Sequence, residues 1–371
     1  MPTKLGTFII PHSSVTENFN MPLFIDLHID HNLTPDLIKQ CHVADKAIQA
    51  KYGVRYLQIL LNQPQGYLFC LVEGPDKESC AKVHQEAHGN IACNILEITQ
   101  SDFSSLLANK QKDGLDFTLN ADGTMDSGNR VILTLNLLGS PEKYHVAKEI
   151  INKVLYQYDG RIPERYNNEM GLVAIFDSCT SAIDAGIICS NKILEQAIPI
   201  EIRMGVSIGP PLEEKGNFFE DARKSSRHFS FVSMNGQLTV SSKVMQLYTG
   251  DSKSIAHQVK VISLPDEKFL RQVLECTEKV WDKSDLTMTR FARVLGMSKS
   301  QLGRKLKVLS PLSPNDFIKE YRLWKSISLL QTHSMNVAEI TMSIGFSNPS
   351  YFTKCFRKRF GMAPSDYMAT T

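Results

Sequence analysis

Two α+β domains followed by an all-α domain are predicted for this chain, and three observations carry that expectation. Apolar residues alternate at a period of two, interrupted by helical stretches, from Met21 to Thr99 and again from Val131 to about Leu264; after Asp266 they recur at helical spacing only. Between the two α+β stretches runs a polar segment, Gln100 to Arg130, with NKQKDG and NADGTMDSGN in it. Charge divides the chain as well. The net +2 of 371 residues hides 17 Lys and Arg against 10 Asp and Glu from Asp266 onward, and 24 against 29 before it. The expected domains are therefore 1–99, a polar linker over 100–130, 131–264 and 265–371, and the basic last domain is the part expected to meet phosphate.

Several classes are excluded early. No stretch approaches the roughly 18 consecutive apolar residues of a membrane span. The N-terminus lacks the charged start and apolar run of a signal peptide, so a cytoplasmic location without a membrane partner is expected. Eight cysteines (Cys41, Cys70, Cys80, Cys93, Cys179, Cys189, Cys276, Cys355) are scattered with no CxxC pair, which suits reduced thiols and rules out a zinc finger.

In the first domain Leu23, Ile25, Leu27 and Ile29 alternate with Phe24, Asp26, His28 and Asp30, so one strand face is apolar and the other largely acidic. Thr34 to Tyr52 reads as a helix, Arg55 to Asn62 and Gly66 to Glu73 as a hairpin, Pro75 to His88 as a second helix and Ile95 to Thr99 as a returning strand. This is the order of a ferredoxin-like sandwich. His84 and His88, four apart, share a helix face if the helix persists that far, and two imidazoles so placed can grip one metal. Cys70 and His28, on neighbouring strands, complete the candidate set; the alternative is a solvated pair, a core thiol and a surface histidine. The segments MPLFIDLHI, GYLFCLVEGPD and VHQEAHGNIACNILEI resemble a small family of ferredoxin-like domains whose described member binds nickel. The resemblance implies nickel, while a mixed imidazole, carboxylate and thiolate set suits zinc or copper as well.

The middle domain reads as strand Val131 to Leu138, helix Glu142 to Tyr158, strand Gly171 to Phe176, helix Ser181 to Gln196 and strand Ile200 to Ser207. QYDGRIPERYNNEMGLVAIFDSCTSAIDAG, EIRMGVSIGPP and EDARKSSRHFSFVSMNGQLTVSSKV resemble the class III adenylate and guanylate cyclase domain, which makes a second ferredoxin-like domain the expectation. In such cyclases two aspartates hold the metal ions that activate the ribose hydroxyl. At the matching places this chain has Asn136 and Met170, and Phe219 replaces the ribose-orienting asparagine; the phosphate-contacting arginine survives as Arg223, a vestigial nucleotide contact. Loss of both metal ligands predicts no cyclase activity. What the resemblance leaves is a pairing surface, hence a homodimer. The alternative is an active nucleotide cyclase fused to a DNA-binding domain.

From Ser284 to Tyr367 the pattern is helical and repeats itself. Met288, Phe291, Ala292 and Leu295 are followed by a turn at Gly296, a cap at Ser298 and a helix carrying Leu302, Leu306 and Leu309. Its outer face shows Lys299, Ser300, Gln301, Arg304 and Lys307. A continuous helix from Pro314 to Thr332 comes next, with Phe317, Tyr321, Trp324, Ile327 and Leu330 on one stripe. Val337, Ile340 and Ile344 then precede a turn at Gly345 and a helix from Pro349 to Phe360, with Phe352, Phe356 and Phe360 inside and Ser350, Lys354, Arg357 and Lys358 outside. These are two helix-turn-helix patterns, and FARVLGMSKSQLGRKLK together with IGFSNPSYFTKCFRKRFGMAPSDY resembles the AraC/XylS family of transcription regulators. Ser326 and Thr341 stand where that family commonly has alanine, a departure expected to loosen packing. The resemblance implies a sequence-specific DNA-binding regulator with a recognition helix in each of two major-groove segments, governed by a metal or small ligand bound upstream. Double-stranded DNA and a second copy of the chain are the expected partners, with RNA polymerase a candidate.

Overall fold

The computed structural model describes residues 20–107, 110–166 and 171–370, which divide into two compact units. The first holds the described residues up to Gly128 together with Leu212–Phe218; the second resumes at Asn129, breaks at Pro211 and continues from Phe219.

In the first unit β1 (Leu23–Ile29), α1 (Pro35–Ile48), β2 (Arg55–Asn62), β3 (Tyr67–Glu73), α2 (Lys77–Ala87) and β4 (Asn94–Ile98) follow the anticipated order. The sheet runs β2-β3-β1-β4, every neighbour antiparallel, as in a ferredoxin-like sandwich. Both helices begin where their sequence supplies a cap. The Thr34 hydroxyl accepts from the Leu37 N–H ahead of Pro35, and the Asp76 carboxylate accepts from Ser79. Ile38 of α1 and Cys80 and Val83 of α2 pack over Phe24, Tyr56, Cys70 and Val72. The strand face that reads as acidic is thus the one the helices cover, and Asp26 on it is fully buried.

The polar run after β4 is not a linker, which corrects the expectation for 100–130. It opens with α3 (Gln100–Leu107), and its later part lies along β2: Ile59 N–H donates to Asp116 O, Thr118 N–H to Ile59 O and Leu61 N–H to Asp126 O. Phe117 is 2% exposed, and Asp116 is held by His42, Lys46 and Lys112. Isolated bridges of one or two residues carry no period, and carboxylates buried in ion pairs look like solvent-facing residues in a sequence. That combination hides the segment.

The second unit begins with β5 (Arg130–Gly139), α4 (Tyr144–Gln157), β6 (Gly171–Phe176), α5 (Cys179–Glu195) and β7 (Ile200–Gly209). There follow α6 (Glu220–Val232), β8 (Leu238–Ser241), α7 (Ser242–Gln246) and β9 (Val259–Ile262). Sheet order is β6-β5-β7-β8-β9, with β5 antiparallel to both neighbours and β8 and β9 added in parallel. A single bridge between Arg161 and Ile175 stands in for the second strand of the ferredoxin-like order. Val131, Leu133, Leu135 and Leu137 pack with α4 and α5 on one face. The opposite face takes α6, with Thr134 bonded to Ser226 at 2.7 Å and Asn136 donating to the Ser230 hydroxyl at 2.6 Å.

Helices α8 (Leu264–Glu278), α9 (Met288–Val294), α10 (Lys299–Leu309), α11 (Pro314–Gln331), α12 (Val337–Ser343), α13 (Pro349–Phe360) and α14 (Pro364–Ala369) complete the unit. Phe229 and Phe231 of α6 share a core with Leu270, Phe291, Leu302 and Phe317. A second core gathers Ile327, Ile340, Ile344, Phe352, Phe356 and Tyr367. Ser326 and Thr341 are fully buried within the helices, and their hydroxyls donate to Leu323 O and Val337 O. Each polar group is therefore satisfied internally, and the expected loosening has no counterpart in the structure.

The two helix-turn-helix turns differ in one instructive respect. Gly296 and Gly345 both take left-handed backbone, φ +69 and +76, but a Cβ on Gly296 meets nothing within 4 Å, while one on Gly345 would lie 2.7 Å from Asp282 O. Gly296→Ala is expected to cost about 1–2 kcal/mol, the left-handed penalty alone. Gly345→Ala should lower the chemical-denaturation midpoint clearly further, and equal effects would contradict this packing.

Candidate functional site

Beneath α1 and α2 the first unit encloses a cavity of about 300 Å³. His84, on the inward face of α2, is its centre. The ring's Nε2 lies 2.9 Å from Asp26 Oδ2 and its Nδ1 3.3 Å from Asp45 Oδ1. His88 caps the end of α2, outside helical backbone, yet its Nε2 is 3.2 Å from Asp45 Oδ1 and 3.4 Å from His84 Nδ1. His28, on the same face of β1 as Asp26, stands edge-on to His84 with centroids 4.6 Å apart, and its Nε2 is 3.5 Å from Asp26 Oδ1.

Electrostatics follow from burying these groups together. Burial disfavours the Asp26 carboxylate, but His84 and His28 outweigh it and hold the carboxyl well below its usual range. Burial likewise disfavours the His84 imidazolium, and Asp26 and Asp45 outweigh it, pushing His84 up to about 10. His88 moves the other way because burial dominates there. Burial, then Asp26 and Asp45, push the Cys70 thiol well above its usual value.

Of the expected metal-binding residues, the structure brings His28, His84 and His88 together. Cys70 lines the same cavity, with its N–H donating to Asp26 Oδ1, but belongs to neither group of converging donor atoms. Those groups are Asp26, His28 and His84, and Asp45, His84 and His88, each with donor atoms within 4.8 Å of one another. The two carboxylates thus take the place expected of the thiol. Asp26 is legible in the sequence, two residues before His28 on the same strand face. Asp45 is not, because only the packing of α1 beside α2 aims it at His84. His28 Nε2 and Asp45 Oδ1 are buried, and their contacts within the cluster fall short of well-formed hydrogen bonds. The set fits a divalent borderline ion such as nickel.

The helical region presents a different surface. Lys299, Ser300, Gln301, Arg304 and Lys307 of α10, and Ser350, Lys354, Arg357 and Lys358 of α13, are all exposed. Leu302, Leu306, Phe352 and Phe356, on the opposite faces of the two helices, are fully buried. Gln301 also closes a reciprocal cap that fixes the start of α10, its Oε1 accepting from Ser298 N–H while Ser298 Oγ accepts from Gln301 N–H. In contrast to Arg322, which donates to Trp281 O and Lys283 O, the six cations of the two outer faces form no ion pair among the described residues. Free cations on helix faces of this kind suit phosphate and base edges.

The residues matched to cyclase chemistry are otherwise engaged. Asn136 is bonded to Ser230, Phe219 is buried in left-handed backbone ahead of α6, and Arg223 lies over the Tyr166 ring at 4.0 Å. Met170 is outside the described residues.

Comparison with known proteins assigns both ends of the chain. Residues 291–370 match a helix-turn-helix domain family and residues 24–98 the family described as nickel responsive protein SCO4226-like. Histidine kinase P4 of Formosa agariphila is 34% identical over 117 residues, 32% of this chain and 8% of that protein. The virulence regulon transcriptional activator VirF of Yersinia enterocolitica is 35% identical over 106 residues, 29% of this chain and 37% of its own length. Among solved structures, SCO4226 from Streptomyces coelicolor A3(2) is 35% identical, covering 20% of this chain and 94% of that one with a TM-score of 0.20. The chain accordingly carries an SCO4226-like domain near its start and an AraC-type helix-turn-helix domain at its end. It spans well under half the length of the curated relatives it matches. No helix among the described residues is long and apolar enough to cross a membrane.

The raised His84 pKa makes the stability of this unit depend on pH. The charged imidazole stabilises the fold fully below about pH 6.5, the unfolded value, and that contribution is lost as pH rises through about 10. In chelator, stability against denaturant should therefore decline toward pH 10. Asp26→Asn should move the His84 midpoint, followed by imidazole NMR, downward; an unmoved midpoint contradicts the pairing.

Proposed function

We propose that this protein is a DNA-binding transcription regulator of AraC type. The observation that carries the reading is the pair of exposed, unpaired cationic faces on α10 and α13, set on buried apolar stripes and joined by α11. As an 18-residue helix, α11 is about 27 Å long, enough to serve two successive major-groove segments. A relative that is 35% identical over 106 residues is a transcriptional activator, which supports the same reading. In this reading the regulator acts in the cytoplasm as a homodimer paired through the middle sheet, and that sheet performs no catalysis.

The first unit is proposed to hold a divalent metal, with nickel favoured by the family match over residues 24–98. His84 would supply one ligand together with Asp26 and His28, or with Asp45 and His88, the two groups in which the donor atoms converge. Cys70, whose thiol is held protonated by burial and the two carboxylates, would stay in the wall.

Two measurements test this. In fluorescence anisotropy on DNA from the chain's own upstream region, Arg304→Ala should relax discrimination at one base pair by about 1–3 kcal/mol. Lys354→Ala should weaken all sequences alike and flatten the salt slope. Uniform weakening by Arg304→Ala would move that residue from base to phosphate. Calorimetric titration with Ni²⁺ should give saturable binding that His84→Ala weakens more than about tenfold; retention of full affinity would place the ion elsewhere.

A further inference from the structure

In the second unit a cavity of about 560 Å³ opens where α6, α8 and α11 meet. That size is within the roughly 300–1,000 Å³ of small-molecule sites. Its inner wall is aromatic: Phe231 stands edge-on to Tyr321 and Trp324, with centroids 5.6 and 5.2 Å apart. The Trp324 indole N–H is buried with no acceptor, an unmet donor in a wall that is otherwise apolar.

The mouth is cationic. Lys224 is paired with Glu275 at 2.6 Å and Lys325 with Glu278 at 2.8 Å, so both acidic lining residues are already neutralised. Arg227 and Lys279 remain, exposed and without an ion pair among the described residues. His228 adds to the picture, since burial first and then Arg227, Lys224 and Arg271 push it down to about 3 and keep it neutral. The lining therefore offers surplus positive charge beside an aromatic wall. A planar π-face suits that wall, and the Arg227 fork suits a carboxylate.

We propose that this cavity binds a small planar aromatic carboxylate, with its ring against Phe231, Tyr321 and Trp324 and its carboxylate on Arg227 and Lys279. Its occupant would touch the helix that covers the middle sheet and the helix that joins the two helix-turn-helix motifs. The site shares no residue with the metal centre and does not depend on DNA binding.

The test is calorimetry on the full chain with 2-naphthoate as probe. One saturable site per chain is expected, with 2-naphthol, which has the same rings and no carboxylate, bound at least about tenfold more weakly. Arg227→Glu combined with Lys279→Glu should weaken 2-naphthoate by at least about tenfold. Arg227→Gln, with circular dichroism unchanged, should show a smaller loss in the same direction. The probe should quench tryptophan fluorescence in the native chain and lose most of that effect in Trp324→Phe. Absence of saturable binding, equal affinity for the charge-reversed chain, or preference for AMP over 2-naphthoate overturns the proposal.

Discussion

The second unit depends on the close approach of α6 to its sheet, and Gly205 permits that approach. A Cβ on Gly205 would lie 2.1 Å from Ser226 O and 2.5 Å from Ser230 N, backbone atoms of α6 that cannot step aside. With the helix seated so closely, Ser226 and Ser230 reach Thr134 and Asn136, and the sheet face is sealed by hydroxyl and amide pairs instead of a thick apolar layer. The outer side of the same helix then delivers Phe229 and Phe231 to the core built by α8 through α11. One missing side chain thus sets the distance at which the helix-turn-helix region is mounted.

The close seating of α6 also decides what surrounds the residues that the sequence reading matched to cyclase chemistry. Helix α6 lies over that sheet face, and the amide of Asn136 donates to the Ser230 hydroxyl. Arg223 keeps its place in the pattern but spends its guanidinium on Tyr166.

How much is legible in the sequence varies with the range of the interactions. Both helix-turn-helix patterns are readable almost residue by residue, because their caps, turn glycines and apolar stripes are local: Ser298, Gly296 and Leu302 sit within one motif. The βαββαβ order of the first unit is readable for the same reason. The carboxylates around His84 are only half visible, since Asp45 reaches the site through the packing of two helices far apart in sequence. Residues 110–126 look like a linker because Asp116 and Asp126 are buried charges, which sequence hydropathy scores as exposed. Helix α8 escapes the sequence reading, although Ser263 caps it and Pro265 stands in its first turn.

Arg359 is one residue beyond the exposed Arg357 and Lys358 on α13, yet it turns inward. Its guanidinium is divided between Glu320 on α11 at 2.7 Å and Glu201 on β7 at 2.8 Å, and Arg203 joins the same two carboxylates. A planar fork held on two sides resists rotation as well as separation. The second helix-turn-helix is therefore clamped to its own connecting helix and to the sheet together, and the two outer faces behave like the jaws of a caliper locked at one opening. Under the proposed DNA-binding function, a duplex held by both jaws would have to absorb any mismatch in its own curvature, so the stiffness of base steps between the two contacts would contribute to selectivity.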